Sequence, residues 1–174
     1  NTSDSIDNGL VMLSEDRHRY GIIPVRSVRE NITLSNLEDY IYGGRLHAKE
    51  EREEVEDISG KLNIKTPSIE TAVSSLSGGN QQKVILAKWL VNDPDVFLLD
   101  EPTRGIDVGA KYEIYKLMVE LAKEGKGIVM VSSELPELIG MCDRIYVMSE
   151  GRITGELKRE EFSQEAIMKY AIGS

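Results

Sequence analysis

The sequence predicts an α/β fold, a mainly parallel sheet flanked by helices, together with a mainly helical subdomain. Two patterns point to it. Short apolar runs bounded by turn residues, such as Asp95–Asp100 and Gly127–Ser133, alternate with segments of helical period. Between residues 29 and 92 the helical period dominates. Alternating buried strands and helices make a parallel sheet with helices on both faces.

Taken in order, "NTSDSIDNG" is a polar lead-in with no core signal, and "GLVMLSED" (9–16) is a short buried strand. Residues 17–37 read as mixed, with Gly21 and Pro24 marking a loop. A helix is expected over 48–62, with acids early and Val55, Ile58 and Leu62 at helical spacing. Residues 63–79 read as loop, a short helix from Ser68, then loop again. A helix opens near Gly79 and runs through Val84, Ala87 and Leu90. After the strand at 95–100, Asp107 caps a helix with Ile114, Leu117, Met118 and Leu121 on one face, ended by Gly125 or Gly127. A strand follows at 127–133, then a short helix at 134–140. Two strands over 144–157 turn at Glu150–Gly151, and a helix closes the chain at 163–172. The α/β core is thus assigned to 9–28 and 93–174, and the helical subdomain to 29–92, within a single partial domain of 1–174.

Composition narrows the function. A net charge of −9 over 174 residues argues against nucleic acid as the main partner. The acidic run "KEEREEVED" (49–57) reads as the solvated first turns of a helix. The apolar runs fall short of the ~20 residues that span a bilayer. A single Cys142 forms no internal disulfide and reads as a small buried hydrophobe. His18 and His47 are too few and too isolated for a metal site.

Two stretches carry chemistry. In "SSLSGGNQQKVILAKWLV" (74–91), Ser77 can cap a helix while Gly78 and Gly79 leave backbone amides uncovered at its N-terminus. Such a terminus suits an anion, although a capped helix after a glycine turn satisfies the same residues. In "VFLLDEP" (96–102) a buried strand delivers Asp100 and Glu101 to the carboxyl edge of the sheet, where ligands bind. One carboxylate can hold Mg²⁺ through water and the next can polarise an attacking water.

These stretches, followed at once by "TRGIDVGAK", resemble the nucleotide-binding domain of an ABC transporter, a P-loop NTPase-like fold. "LSGGN" resembles the ABC signature, "VFLLDE" the Walker B strand, and Asp107 falls at the D-loop aspartate. "SEDRHRYG", "SVREN", "NIKTPS" and "VSSELPEL" are further similar to the second cassette of bacterial ribose-type monosaccharide importers. The resemblance covers the chain from about Gly9 to Ile172. It implies ATP and Mg²⁺ as cofactors, Glu101 as catalytic base and Asp100 as a water-mediated Mg²⁺ ligand. It implies that Ser77, Gly78, Gly79 and Asn80 face the γ-phosphate of a nucleotide held by a partner cassette, with Asp107 beside them. The partners it implies are a first cassette of the same subunit or a second ABC domain, membrane permease subunits and, indirectly, a periplasmic sugar-binding protein. Its implied location is the cytoplasmic face of the inner membrane, as a peripheral subunit.

The chain departs from the family pattern at four points. No G-x-x-x-x-G-K-[ST] phosphate loop occurs in the sequence. It is expected upstream of residue 1, with the early strands of the cassette. Ser14 and Glu15 stand at the family's glutamine loop, and Ser133 at its switch histidine. Asn80 replaces the signature's usual glutamine. Ser133 implies a slower or asymmetric site, since serine lacks the reach and charge of imidazole. Two other readings stand beside sugar import. One is a soluble ABC ATPase acting on DNA or the ribosome, which would carry long heptads or basic stretches. The other is a non-enzymatic module that docks on a partner.

Overall fold

The computed structural model describes residues 2–172; Asn1, Gly173 and Ser174, at the ends of the assigned domain, lie outside the described residues. The chain divides into two compact units, 1–131 and 132–174.

The first unit opens with a short helix, α1 (Thr2–Asp7), where the sequence reads only as a polar lead-in. Strand β1 (Leu10–Leu13) follows. The segment 17–37, read as mixed with a loop at Gly21 and Pro24, holds a π-helical turn at Arg17–Gly21 and helix α2 (Val28–Ile32). The sequence signal for α2 is a capping box. Ser27 Oγ accepts from the Glu30 N–H, and the Glu30 carboxylate accepts from the Ser27 N–H. Buried Asn31 locks the preceding turn: its Oδ1 accepts from the Ile23 N–H at 2.7 Å, and its Nδ2 donates to the Ile23 and Ser27 carbonyls.

A small hairpin, β2 (Ile41–Tyr42) and β3 (Arg45–Leu46), precedes helix α3 (Ala48–Lys61). The acidic start of α3 is not wholly solvated, contrary to expectation. Glu51 is 1% exposed, chelated by Arg29 Nη1 and hydrogen-bonded by the Thr33 hydroxyl at 2.8 Å. A buried carboxylate needs such partners. Arg29 in turn grips Glu70, whose carboxyl is held below the ordinary carboxylate range chiefly by that hydrogen bond. No helix starts at Ser68. Residues 68–71 form a turn, with the Thr71 N–H donating to the Ser68 carbonyl, and the helical turn comes later, as 3-10 at Val73–Ser75.

Helix α4 (Gly78–Leu90) follows, with every residue from Gln81 to Lys88 buried. It packs against α2, α3 and β1. Strand β4 (Val96–Asp100), helix α5 (Val108–Lys123) and strand β5 (Gly127–Val131) complete the unit. Helix α5 ends at Gly125, whose φ of +91° suits glycine. The sheet is parallel, in the order β1–β4–β5, with Leu13 opposite Leu99 and Asp100 opposite Val131.

Only one face of this sheet is covered. Val11, Leu13, Phe97 and Leu99 are buried on the side of α4 and α5. Met12, Val129 and Val131 alternate with them on the other side and are 53–56% exposed. Within the first unit, the expected cover on both faces is therefore absent among the described residues.

The second unit holds helix α6 (Leu135–Met141), the antiparallel pair β6 (Arg144–Ser149) and β7 (Arg152–Lys158), and helix α7 (Gln164–Ile172). Glu150 and Gly151, at φ of +49° and +75°, make the hairpin turn that the sequence marks. Ile145, Val147, Leu157 and Ile167 form its core, with Cys142 packed against it. Burial pushes the Cys142 thiol up.

Candidate functional site

The N-terminus of α4 carries four candidate residues, Ser77, Gly78, Gly79 and Asn80. Ser77 caps the helix in extended backbone, and its Oγ accepts from the Asn80 N–H. Asn80 Nδ2 also donates to Ser77 Oγ at 2.9 Å, while Asn80 Oδ1 accepts from the Lys65 N–H at 2.8 Å. The segment 63–65 is thereby tied to the signature. The two glycines differ. Gly79 is buried, and a Cβ there would meet Ala110 Cβ of α5 at 2.4 Å. Its lack of a side chain is required by helix packing, where the sequence suggests close approach of an anion. Gly78 is half-buried, and a Cβ there would crowd only the flexible Arg17 guanidinium end, at 3.0 Å, with the Gly105 carbonyl at an ordinary contact distance of 3.4 Å.

The segment that resembles a D-loop lies alongside. Asp107 caps α5, its Oδ1 accepting from the Ala110 N–H at 3.0 Å. A Cβ on Gly79 would lie 3.6 Å from Asp107 Oδ2, so cap and signature are neighbours. Together Lys65, Ser77, Asn80, Lys83, Asp107 and Glu113 line a polar cleft of about 200 Å³. Lys83 is almost wholly buried and pairs with Glu113, donating also to the Asn63 carbonyl at 2.9 Å. That lysine holds the Glu113 carboxyl below its ordinary range.

The second group sits at the carboxyl edge of the sheet. Asp100 ends β4, and Glu101 turns out of it at a φ of +49° with its N–H donating to the Val131 carbonyl at 2.9 Å. A non-glycine residue in this region carries strain that the surrounding structure must hold. Ser14 directly follows Leu13 and therefore lies at the same edge. Glu15 forms an ion pair with Arg104, and Arg17 Nη1 donates to the Arg104 carbonyl at 3.1 Å. Arg17 and Arg104, unremarked in the sequence, thus link the segment after β1 to the D-loop and the signature. Arginine's several donors allow such bridging, but only the fold brings positions 17, 78 and 104 together. Ser133 belongs to the second unit, where the neighbouring Ser132 hydroxyl donates to Glu137 Oε2 at 2.5 Å.

The sheet edge fits part of a Mg²⁺ shell. Among the described residues no group of three or more His, Cys, Asp or Glu could hold a metal. Mg²⁺ on a nucleotide uses one or two carboxylates, with water and phosphates for the rest, and the carboxylates of Asp100 and Glu101 at this edge are compatible with such a share. No described helix is long and apolar enough to cross a membrane.

Comparison with known proteins gives a consistent result. The ribose import ATP-binding protein RbsA of Clostridium perfringens (strain SM101 / Type A) is 58% identical over 172 residues, 98% of this chain and 34% of that protein. The L-arabinose transport ATP-binding protein AraG of Geobacillus stearothermophilus is 55% identical over 167 residues, 96% of this chain and 33% of that protein. The chain spans about a third of the length of the curated relatives it matches. Among solved structures, the ATP-binding cassette MJ0796, in a dimeric post-hydrolysis state bound to ADP and Pi, superposes with a TM-score of 0.77 at 24% identity. That match covers 92% of this chain and 67% of that one. The fold is therefore that of an ATP-binding cassette. The family model described as ABC transporter matches residues 1–104. The chain belongs to the ABC transporter family.

Proposed function

We propose that this chain is part of the second cassette of an ATP-binding subunit that powers import of a monosaccharide such as ribose. The observation that carries the reading is the juxtaposition of the Ser77–Asn80 helix terminus with the Asp107 cap, in a chain that also presents Asp100 and Glu101 at its sheet edge. The relatives named for ribose and arabinose transport support the substrate class.

The two groups of residues would serve different nucleotides. Ser77, with the amides of Gly78 and Gly79, presents neutral donors along a helix dipole to the γ-phosphate on a partner cassette. That partner is the first cassette of the same subunit or a second ABC domain. Asp107 stands beside the same interface. Within its own site, Asp100 would take one place in the Mg²⁺ shell through water, and Glu101 would accept a proton from the attacking water. When bound, the ion neutralises charge on the β- and γ-oxygens. Ser14 and Glu15 occupy the sensing position after β1, with Glu15 held toward Arg104. Ser133 replaces a histidine, which favours an asymmetric pair of sites.

The partners follow from this placement. Tyr20, Ile23 and Val25 are exposed apolar side chains on the π-helical turn and the segment after it, Val25 at 82%. We assign this segment and the helical subdomain to contact with a permease at the cytoplasmic face of the inner membrane, with a periplasmic sugar-binding protein acting at a distance. The test is cross-linking from cysteines placed at 20–28 in the assembled transporter. Capture of a permease subunit is expected, and capture of none contradicts the assignment.

A further inference from the structure

We infer that Asn80 is a positioning residue that fixes the Ser77 hydroxyl as an outward hydrogen-bond donor, and that the Lys65 backbone amide sets Asn80 in that orientation. The inference rests on the reading of Ser77 as a ligand of the partner's γ-phosphate.

The orientation of the Asn80 amide follows from its partners. A backbone N–H can only donate, so the atom 2.8 Å from Lys65 N is the amide oxygen. The amide nitrogen is then the atom facing Ser77 Oγ, at 2.9 Å. The same Oγ accepts from the Asn80 main-chain N–H. A serine hydroxyl has two acceptor positions and one proton. Both acceptor positions are filled by Asn80, from its main chain and its side chain. The remaining proton is directed away from both, and Ser77 is an exposed residue.

The three groups form one directed chain, from Lys65 N–H to Asn80, from Asn80 to Ser77, and from Ser77 outward. Each bond polarises the next in the same sense, which strengthens the terminal donor. A terminal donor beside a helix N-terminus suits an anionic oxygen. Asparagine has the length for this. Its amide closes on the cap three residues back while still meeting Lys65, a contact that crosses 15 residues of sequence.

The test uses the full-length subunit and its ATP-driven cassette closure, followed by the Mg-ATP concentration at half-closure. Ser77→Ala and Asn80→Ala should each raise that concentration about tenfold, as expected for loss of a hydrogen bond to a charged group. In the Ser77→Ala background, Asn80→Ala should add less than about twofold, because its effect runs through the hydroxyl. Ser77→Thr, which keeps a hydroxyl, should restore both closure and its dependence on Asn80. A structural role alone would instead leave the Asn80→Ala effect intact in the Ser77→Ala background. Additive effects would overturn the positioning role while leaving the signature reading in place. No effect of Ser77→Ala would overturn the signature reading itself, and the positioning role with it.

Discussion

At the residue scale, the two glycines of the signature separate packing from ligand approach. Gly79 cannot accept a Cβ without moving α4 from α5, since Ala110 Cβ would lie at 2.4 Å and has no rotamer to yield. Gly79→Ala should cost about 1–3 kcal/mol, as overpacking does, and Ala110→Gly should restore most of it. Gly78→Ala should leave stability nearly unchanged, because the Arg17 guanidinium can shift. Urea unfolding of the four proteins measures this, and equal losses at the two glycines would contradict it.

Lys88 gives a second prediction at this scale. It is buried in α4, donates to the Gly21 carbonyl at 2.7 Å and lies 4.7 Å from the Trp89 ring centre. Desolvation lowers its pKa to about 8. The unfolded chain keeps that proton to about 10.4. Between these values the unfolded state binds more protons, so stability gained from this group rises with pH, by ~3 kcal/mol at most. Below pH 8 the burial cost is present in full. The stability difference between wild type and Lys88→Met should therefore shift in favour of wild type from pH 8 to 10. A flat difference would contradict it.

At the scale of elements, α2 and α3 depend on polar groups more than their apolar stripes indicate. Ser27→Ala removes the cap of α2 and should cost about 1 kcal/mol. Glu51→Ala leaves Arg29 with Glu70 alone and the Thr33 hydroxyl with the Arg29 carbonyl alone, so a loss of about 3–5 kcal/mol, mostly from the broken buried ion pair, is expected. Denaturant melts of both variants check the order, and a larger loss at Ser27 would contradict it.

These elements also mark what sequence could tell. The strand Val96–Asp100 and the capped helices α4 and α5 were legible because their signals are local: an apolar run, a cap three residues from its amide, a glycine at the end. The capping box of α2 was equally local, yet the glycine and proline around it suggested loop. The burial of Glu51 was not legible, because its partner Arg29 is 22 residues away. The packing reason for Gly79 was hidden likewise, since Ala110 meets it only across two helices. Asn80 could be singled out by type, but its hold on Lys65 required the fold.

At the scale of the whole molecule, the first unit presents a sheet with one apolar face open, Met12, Val129 and Val131 among its residues. Nucleotide chemistry needs a phosphate cradle, and residues 1–174 contain no G-x-x-x-x-G-K-[ST] run, so these residues alone should bind Mg-ATP weakly. Micromolar affinity in calorimetric titration would contradict that. In the full-length protein, Glu101→Gln should retain ATP binding and slow hydrolysis at its own site by about 10²-fold or more, as loss of a general base does.

That variant provides the most direct test of the central claim, that the signature acts on a nucleotide held by the partner cassette. With Glu101→Gln silencing its own site, the single-turnover hydrolysis that remains in the full-length protein belongs to the opposite site. Adding Ser77→Ala should then slow this remaining hydrolysis by about tenfold or more, with the cassette's own ATP affinity unchanged. Remaining hydrolysis that proceeds at the same rate after Ser77→Ala would contradict the account.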